Sequence, residues 1–230
     1  MYFGHYALAT AVKAKEPDLP VLPIFLATGA IDIMNGLFIM TGVDKVTPNL
    51  DTKPYLYFDL TYIDWDHSLL MGIVWSIAAA FIAYWAYKKD RRIGVATGLV
   101  AFSHWLLDLP LHNGDMALYP GSSIKLGWGW WRTLGEYGWH LEVAFSIILL
   151  IYAYHISKKR GENIWPQLVF LALLTINMSP WLSPMKIVAT FPEPWAHLVH
   201  GFLVCVGFII PGFIFAWLYK KTSKRASLKA

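Results

Sequence analysis

Charge is scarce in this chain: Asp, Glu, Lys and Arg make up only 15% of its 230 residues, while 57% are hydrophobic. A soluble domain typically carries about 25% charged residues, so the composition argues against one. Cysteine is nearly absent as well. The lone Cys205 excludes an intramolecular disulfide and any site built from several thiolates; within its apolar run it reads as small core packing. There is no glycine-rich phosphate loop, no GxSxG elbow and no CxxC pair, so the commonest motifs for nucleotides, serine hydrolysis and thiol redox chemistry are missing. The net charge of +4 and pI of about 9.0 would suit nucleic acid. The basic residues, however, occupy short breaks between apolar runs and form no patch for a phosphate backbone. We expect no cleavable signal peptide, because MYFGHYALATAVKAKEPD has no charged region ahead of its apolar stretch and carries a histidine within it.

What is present is a succession of apolar runs, near residues 19–43, 68–87, 93–111, 139–157, 164–183 and 198–219. Each is long enough to cross a hydrocarbon core of roughly 30 Å at about 1.5 Å per residue. Residues 2–12 form a further apolar stretch too short to span. The pattern predicts an all-α, polytopic membrane bundle of about six transmembrane helices plus a short N-terminal half-helix, in one domain. The basic clusters KKDRR (88–92), KKR (158–160) and KKTSKR (220–225) then fall on one side, and the positive-inside rule makes that side cytoplasmic. The opposite loops are rich in acids and aromatics, with Trp128, Trp130, Trp131 and Trp139 expected in an aromatic belt. A bacterial inner membrane, with the C-terminus cytoplasmic and the opposite face periplasmic, is the expected setting.

Ionisable side chains recur inside these runs. Counted from the basic side, Asp32 and His104 both lie about 18 Å deep, and Asp108 and Glu142 about 24 Å. His67, His140 and His200 come near the opposite surface, and His5 joins them only if the first apolar stretch dips into the bilayer. Such groups are costly in lipid unless they face the bundle interior, water, a partner or a metal. Five segments each bring at least one, which predicts a single polar cavity.

The sharpest motif is SHWLLD (103–108). Its His104 and Asp108 stand four residues apart on one helix face; the two can bind one metal, or satisfy each other structurally. In DWDHSLL (64–70), Asp64 or Asp66 can simply cap the next helix, which leaves His67 unexplained. Asp32 is a lone acid in mid-span, suited to metal ligation or a proton relay. Glu142 sits one turn into its span and needs a partner. His140, His197 and His200 suit the interface as well as ligation, and His112 and Asp115 border the same region from a loop. The ligand set on offer, imidazole and carboxylate, suits zinc best, with manganese or iron also open.

In order and spacing, Gly4 and His5, Asp32, HSLL (67–70), SHWLLD (103–108) and LYP (118–120) resemble the membrane-bound metal-dependent hydrolases, bacterial inner-membrane proteins described as damage-inducible or LexA-binding. The resemblance covers about the first 120 residues. It implies that His5, Asp32, His67, His104 and Asp108 form the metal and catalytic site. That family commonly carries Pro-Asp-x-Asp-His where this chain reads IDIMN (31–35), so the second Asp and the His are missing; Asp64, Asp66, His140 and Glu142 are the candidates to replace them.

The expected function is metal-assisted hydrolysis of a lipid-like ester or phosphoester reached from the outer leaflet, with Asp108 or Asp32 as general base. Two other readings use the same groups. A transporter or proton relay would favour inverted repeats and broken helices, which the sequence does not show. A haem-binding redox subunit would need two histidines at matched depth, and His67 and His200 loosely qualify.

Overall fold

A computed structural model describes residues 1–227, with side chains as far as Thr222; Lys224 and Arg225 of the third basic cluster lie outside the described side chains. The elements are α1 (Phe3–Lys15), α2 (Val21–Ala27), α3 (Ala30–Thr41), β1 (Lys45–Pro48), β2 (Phe58–Tyr62), α4 (Asp64–His67), α5 (Leu69–Ala86), α6 (Arg91–Asp108), α7 (Trp130–Leu134), α8 (Tyr137–Lys159), α9 (Trp165–Asn177), α10 (Met185–Val188) and α11 (Trp195–Ser227). Among the described residues, three helices are long and apolar enough to cross a membrane: α5, α8 and the stretch Trp195–Thr222 of α11.

The expected span at 19–43 is not one rod. It is the pair α2 and α3, bent by 53° and passing as a span only when taken together. The chain breaks at Thr28 and Gly29, where a Cβ on Gly29 would lie 2.2 Å from the Phe208 ring. The expected spans at 93–111 and 164–183 also differ. Helix α6 occupies the first, but it carries Arg91, Arg92, His104 and Asp108. Helix α9 fills only 13 residues of the second. That is about 20 Å, and the SPWLSP run beyond it cannot continue the helix because two prolines lack the amide proton and clash with the preceding turn.

The short N-terminal stretch is a helix enclosed by the bundle. Phe3, Tyr6, Ala7 and Ala9 of α1 are fully buried, and the helix lies against α8 and α6. Its alanines give it a narrow girth, while Tyr6 reaches an aromatic stack in which Phe215 lies 5.4 Å from Tyr6 and 4.6 Å from Phe25. Small residues also set the other close crossings. Gly94 and Gly98 of α6 meet Ala80 of α5, and Gly36 of α3 meets Gly201 of α11, where a Cβ on either would lie 2.4 Å from the other's carbonyl oxygen. Backbones that approach this closely gain dispersion contacts, the main attraction left between helices in lipid. The outward surface is apolar, with Ile82 70% and Ile148 68% exposed, as a lipid-facing wall requires.

The three basic turns meet at one end. Arg92 bonds Glu16 at 2.6 Å, Arg160 donates to the Ala14 carbonyl at 2.5 Å, and Lys220 borders the same recess as Lys13 and Tyr87. At the other end the sequence reading missed a structure: β1 and β2 pair antiparallel, Val46 opposite Leu60, with a bulge at Lys45/Val46. This hairpin lays Phe58 against His200, their ring centroids 4.1 Å apart.

The Gly36–Gly201 contact yields a test. Gly201→Val must push α3 and α11 apart, and overpacking of this kind costs about 1–3 kcal/mol. The expected outcome is a clearly lower melting temperature in detergent, whereas the same change at Gly114, where a Cβ meets nothing within 4 Å, leaves it nearly unaltered; equal melting of the two variants would contradict the packing account.

Candidate metal centre

Helix α6 supplies the centre of the site. Its four-residue spacing puts His104 and Asp108 on one face, and both are buried. The break between α2 and α3 explains how the imidazole is held. A helix end leaves carbonyls without helical partners, and the Thr28 carbonyl accepts from His104 Nδ1 at 2.5 Å. That bond fixes the tautomer and turns Nε2 inward, 3.0 Å from Asp108 Oδ2 and 3.5 Å from Asp32 Oδ2.

Two further rings are held in the same manner. His67, at the end of α4, donates from Nδ1 to Asp66 at 2.7 Å, and its Nε2 lies 3.4 Å from Asp32 Oδ1 and 3.7 Å from Asp108 Oδ2. His112, in the turn after α6, sets Nδ1 3.3 Å from Asp115 and Nε2 3.7 Å from Asp108 Oδ2. The fourth ring comes from α1: His5 stacks on His104 with centroids 3.8 Å apart, its Nε2 3.3 Å from Asp108 Oδ1. The Met1 main-chain nitrogen also bonds Asp108. Imidazoles whose outer nitrogen is anchored by a carbonyl or carboxylate, with the inner nitrogen free, are the usual arrangement of metal ligands.

The donor set fits a metal ion on two counts. Nε2 of His5, His67 and His104 is buried without a hydrogen-bond partner, an arrangement that is costly when nothing occupies the centre. Two ligands each about 2.1 Å from one zinc ion sit roughly 3.0–3.4 Å apart at octahedral to tetrahedral angles, and the nitrogen–oxygen separations above cluster around that range. The residues form three overlapping groups able to hold an ion: His5, His104 and Asp108; Asp32, His67 and His104; and His67, Asp108 and His112.

The other candidates fall elsewhere. Glu142 is fully buried, but it holds α1 in place: it accepts from the Tyr2 and Gly4 amides at 2.7 and 3.0 Å and from the Tyr55 hydroxyl at 2.6 Å. These amides belong to the first turn of α1, which has no partner of its own. Asp64 ties down the loop between α6 and α7 through Lys125 at 3.1 Å and the Gly121 amide at 2.9 Å. His140 is exposed near the Glu136 carbonyl, and His197 links Glu193 to the Val46 carbonyl. His200 is buried and borders the cavity described next. Cys205 packs at the Gly36–Gly201 crossing, its Sγ 3.4 Å from the Ile33 carbonyl, and belongs to none of the metal groups. Sequence reasoning missed Thr28, whose part is played by a main-chain carbonyl that no side chain announces, and Asp44, which lies beside Asp66.

A cavity of about 320 Å³ reaches the cluster, lined at that end by Asp32, His67, Asp108 and His112 and elsewhere mainly by apolar side chains. Asp32 is the most accessible of the site's carboxylates, 18% exposed against 1% for Asp108. Trp131, expected in an aromatic belt, is instead buried against His112, their ring centroids 4.5 Å apart. Compared with protein families, curated proteins and solved structures, the chain matches none.

Asp44 stands behind this site, next to the acid that orients His67. Burial, reinforced by the Asp66 carboxyl, holds its pKa up at about 9 against an ordinary 3.8. The folded state therefore keeps a proton that the unfolded chain has released. Its contribution to stability is full below about pH 4 and is lost as pH rises towards 9. Asp44→Asn keeps the shape and removes the titration, so wild-type melting temperature is expected to fall relative to the variant between pH 5 and 9. Parallel pH curves for the two proteins would show that Asp44 is ionised in the fold.

Proposed function

We propose that the chain is an integral-membrane, metal-dependent hydrolase acting on a lipid-like ester or phosphoester. One observation carries the reading: four imidazole nitrogens and two carboxylates converge, and Asp32, His67, Asp108 and His112 among them line a largely apolar cavity. The residues quoted for the resemblance to the membrane-bound metal-dependent hydrolases, His5, Asp32, His67, His104 and Asp108, are the ones that meet there, and this supports the family assignment. In this reading six segments cross the membrane, the three basic turns face the cytoplasm and the site lies towards the periplasm of a bacterial inner membrane. The gathering of those turns at one end favours that orientation.

His5, His104 and Asp108 would hold the metal together, with His67 facing Asp108 from a neighbouring group, zinc being the best match to the donor set. Bound there, such an ion would supply Lewis acidity towards the ester or phosphoryl oxygen and would lower the pKa of water. Asp32 opens furthest to the cavity and takes the proton of the attacking water, as general base. Thr28 and Asp66 keep their imidazoles in the tautomer that presents Nε2, and the apolar walls exclude bulk water. The break between α2 and α3 is the one feature that favours the alternative, proton or ion movement through the same groups, since broken helices mark transporter sites.

The test is turnover by zinc-loaded protein on p-nitrophenyl butyrate and bis-p-nitrophenyl phosphate. Wild type is expected to cleave one of them, and Asp32→Asn to lose about 10²–10⁴-fold in rate while keeping its metal. Metal-loaded wild type that cleaves neither, or Asp32→Asn that cleaves as fast as wild type, contradicts the proposal.

A further inference from the structure

Three residues that line the same cavity and take no part in the metal groups each carry a buried, unpaired polar atom. The indole Nε1 of Trp131, the amide Nδ2 of Asn35 and Nδ1 of His200 have no hydrogen-bond partner. Their residues are only 2%, 5% and 3% exposed. A buried polar atom left unpaired is costly, and native structures rarely tolerate several in one place. The three also share a chemistry. Indole nitrogen and amide nitrogen only donate, and a neutral imidazole offers one N–H. With the His200 proton on Nδ1, all three atoms donate, and a partner that satisfies them together brings acceptor oxygens.

Their placement follows from the fold. Asn35 is three residues beyond Asp32 on α3, so it lies on the same face. His200 precedes Gly201, which meets Gly36, so Asn35 and His200 flank one helix crossing. Trp131 closes the cavity beside His112. Away from these groups the wall is mainly apolar: Leu174 of α9 and Met178 just beyond its end line it together with Leu203, Gly207 and Ile210 of α11. From His200 to Ile210 this wall runs about 15 Å along α11, and Ile210 is 52% exposed on the lipid-facing surface. The cavity thus joins an acceptor-seeking patch, next to the metal groups, to an apolar trough that reaches the bilayer between α9 and α11.

We infer that Asn35, Trp131 and His200 form a headgroup subsite for a single-chain lipid ester. The oxygens around its ester linkage accept from the three N–H groups, and its chain lies in the trough between α9 and α11. This deepens the hydrolase reading and rests on it for the reaction, but binding is tested without turnover.

The experiment uses the full chain in amphipol and measures equilibrium binding of radiolabelled 1-dodecanoyl glycerol and dodecyl phosphate, with metal content determined on the same samples. Dodecanol is the competitor that lacks the ester oxygens. Wild type is expected to bind one of the two labelled probes in preference to dodecanol, the preferred probe distinguishing a carboxyl ester from a phosphoester. Asn35→Leu, Trp131→Phe and His200→Phe each remove a donor and keep bulk, and each is expected to weaken binding about tenfold. His200→Gln retains an N–H and is expected to bind like wild type. Gly207→Leu projects into the trough, where a Cβ has its nearest neighbours 3.8 Å away on Tyr2, and is expected to weaken binding of the long chain with metal content unchanged. If wild type binds neither labelled probe, or dodecanol competes on equal terms, or the three donor variants bind like wild type, the inference is overturned. Full metal content without probe binding defeats this subsite alone, whereas probe binding without metal defeats the hydrolase reading and leaves the subsite standing.

Discussion

Asp108 is a carboxylate at 1% exposure in the middle of a helical bundle, and much of the structure can be understood as the means of keeping it there. An isolated charge in such surroundings costs several kcal/mol. The bundle surrounds it with imidazole nitrogens from α1, α4, α6 and the turn after α6, all within 3.7 Å. Each of those rings is in turn anchored or stacked. The requirement propagates outwards: His104 needs an acceptor on its far side, and the chain breaks between α2 and α3 so that the Thr28 carbonyl can serve. A continuous helix through Thr28 would have used that carbonyl in its own ladder.

The same constraint explains why a 13-residue helix occupies the centre of the bundle. His5 reaches Asp108 only because α1 rises from the basic end and stops beneath the site. Glu142 then accepts from two amides of its first turn, completing that helix end with a carboxylate borrowed from α8. Tyr55, from the loop joining β1 to β2, bonds the same carboxylate, so the hairpin end, α8 and α1 are tied through one side chain. A negative charge at a helix N-terminus is favourable, and more so where water is excluded.

How much of this could be read from the sequence depended on whether the signal was local. Spacing of four residues put His104 and Asp108 on one face, and a lone acid in an apolar run made Asp32 stand out. Apolar periodicity and the basic breaks located the long helices α5, α8 and α11. Features that depend on tertiary neighbours were not legible. The break at Gly29 answers to the Phe208 ring, more than 170 positions away. Loss of helix after Asn177 follows from Pro180 and Pro184, which the apolar composition around them masks. The hairpin was hidden because its strands are short, and Trp131 read as an interfacial aromatic because only the packed structure shows it against His112. Glu142 reads as an acid in need of a partner, but two of its partners are main-chain amides, which no side-chain pattern records, and the third is Tyr55 from a distant loop.

The central claim is that the convergent imidazoles and carboxylates hold a transition metal. Elemental analysis of protein purified without added chelator tests it most directly, with His104→Ala analysed beside wild type and folding checked by circular dichroism. The account predicts a stoichiometric transition metal in wild type, lost in folded His104→Ala. Folded wild type without bound metal, even after dialysis against zinc, manganese or iron(II), would contradict it.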